Sequence, residues 1–415
     1  MTKVIVNPDI LVWARESAGL DLAEAADRIG LTSTDKISAE EKLQELESGK
    51  RRLTRNQLTK LAAVYRRPLI TFYMKVPPAK SDRGEDFRQT PALLSKRENA
   101  LLDSLLRDIK ARQEMVRAII EDEETLPTPF AGTATIKDGV DKIVQLIADR
   151  LGFDHTSKTL RRGDADKLFK KLRTKCEEAG IFVLLIGDLG SHHTALSADV
   201  FRGFAIADKI APFIVINDQD ARAARSFTLL HELAHIVIGE SGVSGAPTSH
   251  TPHDTHDKIE RFCNDVAGEF LLSKKVLGTR PDSLNPTDKD SAKAIINQIA
   301  DEWSISEAMV AYRINRVGWI PDTLYDTLVA EYAARWRALK QKTRDEREPE
   351  DAGPHPYIVK QSKLGKLVDF VRHSMRENIL TDTKAAQILG IKPTAVEPFL
   401  KVYEKTHSGI LGGTA

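Results

Sequence analysis

The spacing of apolar residues changes character several times along this chain. Between residues 8 and 75 they recur at helical intervals in four short runs. Ile10, Leu11, Trp13 and Ala14 open the first, and residues 22–29 carry the second, with Ala25 and Ala26 as a small-residue contact. A third run spans residues 38–47 before Gly49, and a fourth residues 58–65. A stretch rich in Pro and charge, 76–90, then separates these runs from one long helix over 93–122. Leu94, Leu101, Leu105, Ile109 and Val116 lie along that helix, which reads as a packing and spacer element. Residues 125–134, rich in Pro and Thr, form a second linker.

From residue 139 the pattern is mixed. Helices are predicted over 140–151 and 164–179. Residues 180–187 read as a buried strand from their length, β-branching and flanking glycines. Two more strands, 201–207 and 213–217, lead into an apolar helix over 226–239. A polar loop, 239–257, holds His250, His253 and His256 and precedes a helix over 258–272. Helices at 292–300 and 306–317 flank Trp303-Ser304-Ile305-Ser306 with helix-turn-helix spacing, for which packing is the leading reading. A helix over 324–342 and a charged linker, 343–353, follow. Residues 354–407 read as a small helical module with nine Lys/Arg against five acids. Its Gly390 turn and Pro393 helix start fit a helix-turn-helix and fit a bundle that binds no DNA equally well. The last eight residues are expected to be disordered.

Composition narrows the class without changing it. The chain has 415 residues, 29% charged and 41% hydrophobic, with formal net charge +1, ordinary for a soluble globular protein of two or three domains. No apolar run reaches membrane-spanning length, and the N-terminus lacks the apolar core of a signal peptide. Two cysteines, Cys176 and Cys263, imply no disulfide framework. A cytoplasmic location is the expectation. Charge is unevenly placed: residues 1–49 hold five Lys/Arg and ten Asp/Glu, whereas 50–80 hold nine Lys/Arg and no acid. An unbroken basic run points to an anionic partner.

Candidate chemistry lies in His231-Glu232-Leu233-Ala234-His235. On a helix, positions i and i+4 share a face, so both imidazoles reach one metal ion while Glu232 projects beside it. This is the zinc-protease arrangement, in which the carboxylate takes a proton from water at the metal. A third ligand must come from downstream. Glu260, at the start of the 258–272 helix, is favoured because the small Cys263 and Ala267 let that helix lie close. Glu269 and the loop histidines are the alternatives. The metzincin pattern is absent, since Ile238 stands where a Gly is required. For stabilising an oxyanion, His253, His256 and Tyr312 are candidates.

Four blocks in order resemble the ImmA/IrrE metallopeptidases: Arg202-Gly203-Phe204-Ala205; Pro212 to Asn217; Arg225-Ser226-Phe227-Thr228 before the motif; and Glu260 with Cys263-Asn264 and Leu271-Leu272. The resemblance covers about residues 139–320. It implies Zn2+ bound by His231, His235 and Glu260, with Glu232 as general base. Cys263 departs from the family's usual Ala. The N-terminal segments Trp13-Ala14-Arg15-Glu16, Ala23 to Ala26, Leu46 to Lys50 and Gln57 to Ala62 resemble XRE-type helix-turn-helix domains. There the expected recognition helix carries Glu40, Glu41, Glu45 and Glu47 against Lys42 alone, and acids repel phosphates. Two readings stay open: base-specific binding by this helix, or a helical interaction domain that contacts nucleic acid non-specifically through Lys50, Arg51, Arg52 and Arg55.

The expected fold is therefore α+β. It comprises an N-terminal all-α, helix-turn-helix-like domain (1–78), a linker and long helix (79–138), a zincin-like peptidase domain with a small sheet (139–342) and a helical C-terminal module (354–407). The expected function is a cytoplasmic zinc endopeptidase that cleaves a specific regulatory protein, such as a transcriptional repressor, with activation by nucleic acid or stress. DNA, single strands included, is a candidate partner; a membrane is not. The rival is a DNA-binding regulator or antitoxin-like protein with a non-catalytic metal site.

Overall fold

The computed structural model describes residues 3–78, 94–122, 130–157, 165–244, 255–345 and 354–407. His250, His253, Lys80 and the last eight residues, expected to be disordered, lie outside them. The fold is α+β, mostly helical with one small mixed sheet. Two compact units form: Met1–Ile109 with Asp188–Leu196, and Lys110–Gly187 with Ser197–Ala415.

In the first unit, β1 (Lys3–Val4) pairs antiparallel with β2 (Leu53–Thr54). Four helices accompany them: α1 (Pro8–Ser17), α2 (Leu22–Ile29), α3 (Ala39–Glu47) and α4 (Arg55–Val64). Their starts are written locally. Asn7 and Asp21 accept hydrogen bonds from first-turn N–H groups, and Ser38/Glu41 and Thr54/Gln57 form reciprocal capping boxes. Ile10, Leu11, Ala25, Ala26, Leu43, Leu46, Leu58, Leu61, Tyr65 and Phe72 make the core. The connection from α2 to α3 begins at Gly30 in the left-handed region and contains a bridge between Thr34 and Ile37.

The long helix α5 (Lys96–Glu121) runs from the first unit into the second. There α6 (Val140–Leu151) and α7 (Ala165–Glu178) precede a sheet of β3 (Phe182–Leu185), β4 (Gly203–Ile206), β5 (Phe213–Ile216) and, after α8 (Arg225–Ile238), β6 (Gly242–Ser244). The strand order is β3-β5-β4-β6, with β3 parallel to β5 and the other pairs antiparallel. All of β3 and β5 is buried, which explains their unbroken apolar sequences. β6 lies where the sequence reads as polar loop. Three residues are too few for a periodic signal, and pairing with β4 (Gly203↔Ser244, Phe204↔Val243, Ala205↔Gly242) makes them a strand.

Next comes α9 (Thr255–Leu271), which begins three residues earlier than expected, so His256 lies on the helix and not in the loop. After the short α10 (Lys274–Leu277) come α11 (Lys289–Trp303), α12 (Glu307–Arg316) and α13 (Asp322–Asp345). The core joins Ile214 and Ile216 of the sheet to Leu229, Leu233 and Val237 of α8 and to Val266 and Phe270 of α9. The last helices are α14 (Pro356–Leu364), α15 (Lys366–Arg376), α16 (Asp382–Leu389) and α17 (Val396–His407). They share the second unit with the sheet. Arg173 of α7 donates to the carbonyls of Ser362 and Val183, both at 2.7 Å, and Phe370 meets Phe182 edge-on.

Candidate metal centre

Every residue of α8 from Thr228 to Ile238 is buried, and the helix stops at Gly239, whose φ of 77° suits a glycine C-cap. The four-residue spacing places the His231 and His235 rings 4.8 Å apart with their Nε2 atoms 3.1 Å from each other. Glu260 approaches from α9. Its Oε2 is 3.3 Å from His231 Nε2 and its Oε1 is 3.0 Å from His235 Nε2. Cys263 and Ala267, both fully buried, are the small residues that let the two helices meet.

These three side chains offer ligand atoms within 4.8 Å of one another and could hold a metal ion. The chemistry fits: two ring nitrogens face one another across a gap that only a shared proton or cation makes favourable, and a carboxylate completes a set suited to a divalent ion. Burial pushes the Glu260 carboxyl upward, but His231 and His235 outweigh it and hold the group well below the usual carboxylate range. Burial, with Glu260 and Glu232 nearby, raises the Cys263 thiol well above its usual value, so it stays protonated.

Glu232 is completely buried, and neither carboxylate oxygen has a hydrogen-bond partner among the described residues. Burial pushes its pKa up to about 8; His235 and, more weakly, the Ser244 hydroxyl oppose the rise and Glu260 adds to it. Space for Glu232 comes from β4. A Cβ on Gly203 would stand 2.7 Å from Glu232 Oε1 and 2.8 Å from Thr228 Cγ2, so only glycine lets strand and helix pack at this distance. Opposite Gly203 in register, Ser244 sets its Oγ 2.8 Å from His231 Nε2. Sequence reading missed both roles. A glycine inside a strand pattern signals close backbone approach, whereas nothing marks Ser244.

Other candidates fall elsewhere. Glu269 pairs with Arg313 and accepts from the Lys274 N–H, away from the histidines. Tyr312 donates its hydroxyl to Asp265 at 2.8 Å, where Arg316 also binds with two hydrogen bonds of 2.7 Å. Its single proton is committed to that carboxylate. His256 Nε2 is 4.0 Å from Glu260 Oε1, one helical turn away. In the first unit, Lys50, Arg51, Arg52 and Arg55 are all exposed. Glu40, Glu41 and Gln44 form the exposed face of α3, while Lys42 is tied back to the Thr32 carbonyl at 2.6 Å.

A paired-histidine helix, a carboxylate from a second helix and an unpartnered buried glutamate describe a centre of metallopeptidase type. Residues 176–315, about a third of the chain, match the family model of the IrrE N-terminal-like domain, a peptidase family. That match supports a metallopeptidase of the ImmA/IrrE kind and a protein as substrate. No curated protein and no solved structure matches the chain. Among the described residues no helix is long and apolar enough to cross a membrane.

Proposed function

We propose that this chain is a cytoplasmic zinc-dependent endopeptidase that cleaves a specific regulatory protein, such as a transcriptional repressor. The observation that carries the reading is Glu232: a fully buried carboxylate without a partner, adjoining three convergent ligand atoms. An unpaired buried acid is costly in a purely structural role and useful as a base. Zn2+ held by His231, His235 and Glu260 would supply Lewis acidity toward a peptide carbonyl and toward water. Glu232 would take the proton of the attacking water and return it to the leaving amine.

The N-terminal unit would serve as an XRE-like docking and nucleic-acid-sensing domain, with Lys50, Arg51, Arg52 and Arg55 as its phosphate contacts. Their exposure supports this, and the acidic face of α3 argues for contact without base reading. Binding of DNA, single strands included, or a stress signal would then activate cleavage. The rival reading, a DNA-binding regulator or antitoxin-like protein with a non-catalytic metal site, gives Glu232 nothing to do. The test is incubation of wild type and Glu232→Gln with cell lysate, with and without DNA, and mapping of new protein termini. The proposal expects termini from wild type only; identical maps from the two proteins would remove it.

A further inference from the structure

A second charged site lies in the first unit, apart from the metal centre. The C-terminal end of α4 leads into Arg66, which has φ of 52°, the left-handed region that glycine or asparagine usually fills. An arginine there costs backbone energy, and its side chain lines a recess of about 10 Å³ with Ala18, Leu20, Arg28, Arg97 and Ser104. That volume matches one water or one phosphoryl oxygen. The Arg97 backbone packs closely on Gly19, where a Cβ would come within 2.9 Å of the Arg97 Cα, and the Arg97 guanidinium also donates to the His193 carbonyl at 3.4 Å.

The charge balance of this recess is unusual. Arg28, Arg66 and Arg97 converge on it, and Glu24 meets two of them, at 2.6 Å from Arg28 and 3.3 Å from Arg97. Arg66 Nη1 is buried without a hydrogen-bond partner among the described residues. Burial, with Arg28 and Arg97 adding repulsion, lowers the Arg66 pKa from its usual value. Glu24 offsets one of these three positive charges, which leaves an excess that a further anion would relieve, and the planar N–H forks of the guanidiniums match phosphate oxygens.

We propose that this recess binds a phosphoryl group, with an oxygen inserted between the guanidiniums of Arg66 and Arg97 and with Arg28 beside it. It lies at the opposite end of α4 from Arg55, roughly 15 Å along a ten-residue helix, so it is distinct from the proposed nucleic-acid face. The phosphoryl group can come from a free phosphorylated small molecule or from the end of a nucleic-acid strand.

The experiment is calorimetric titration of the full chain with inorganic phosphate, with NaCl at equal ionic strength as control. Saturable one-site binding is expected for phosphate and not for NaCl. Arg66→Gln and the more exposed Arg97→Gln should each weaken it by about tenfold or more, with circular dichroism unchanged. His235→Ala should leave it unaltered. A 5′-phosphorylated oligonucleotide that binds more tightly than its 5′-hydroxyl counterpart, by a margin lost in Arg66→Gln, assigns the group to a strand end; no such margin assigns it to a small molecule. Phosphate binding that survives both arginine variants, that is absent from wild type, or that disappears in His235→Ala overturns the proposal.

Discussion

Each unit of this protein buries a helical glutamate, and the two are treated in opposite ways. Glu47 of α3, nearly buried, receives the Arg15 guanidinium, with Nε and Nη2 at 2.8–3.1 Å from its oxygens. Glu232 of α8, buried completely, has no arginine or lysine partner and neither of its oxygens makes a hydrogen bond among the described residues, with only His235 and Ser244 close enough to favour its charge. A buried acid with a matched base is part of how a unit holds together, and one left without a partner is held ready for something else. The same contrast recurs within α9. Asp265 and Glu269 are matched by Arg316 and Arg313, whereas Glu260 faces two imidazoles and a candidate ion site.

The contrast is open to attack from both sides. Its largest consequence concerns rate. Glu232→Gln should keep the fold and the metal but lose about 10²–10⁴-fold in proteolysis, measured on any substrate found by terminus mapping. Unchanged cleavage would mean that the unpartnered acid is idle. Metal content comes next. Wild type should carry one zinc per molecule by mass spectrometry, His231→Ala, His235→Ala and Glu260→Ala should each lose most of it, and Glu269→Ala should retain it. Loss in Glu269→Ala with retention in Glu260→Ala would reverse the assignment of the third ligand.

On the other side of the comparison, Glu47→Gln should leave proteolytic chemistry intact and destabilise the N-terminal unit by about 3 kcal/mol, because Arg15 keeps a part-buried charge with only the neighbouring Glu16 to offset it. Chemical denaturation followed at Trp13 would read this, and a shift within error would show the pair to be ornamental. Gly203→Ala should lower cleavage roughly tenfold with zinc retained, since the new methyl group displaces the Glu232 carboxylate from its packed position. The smallest effect is expected on the exposed basic segment. Replacing Arg51, Arg52 and Arg55 by Ala should weaken binding to unrelated duplex and single-stranded probes alike and flatten the slope of log K against log salt by about three. Tight binding to one duplex that survives raised salt would instead make α3 a reader of bases.

What the sequence determined by itself is what helical periodicity and local capping determine. Four residues separate His231 from His235, and any helix turns that into one face. Gly239 ends that helix, and Ser38 with Glu41 starts another, through bonds made within one turn. Unbroken apolar runs at β3 and β5 are enough to mark buried strands. The tertiary structure alone decided which distant groups meet. It placed Glu260 at the histidines and gave Glu269 to Arg313, although both lie on the same helix. It also made a strand of Gly242–Ser244 by pairing with β4, set Gly203 against Glu232, and committed the Tyr312 hydroxyl to Asp265. A local pattern fixes direction within one element. Contacts between elements depend on register and on the distance at which two surfaces pack, and those are properties of the assembled core.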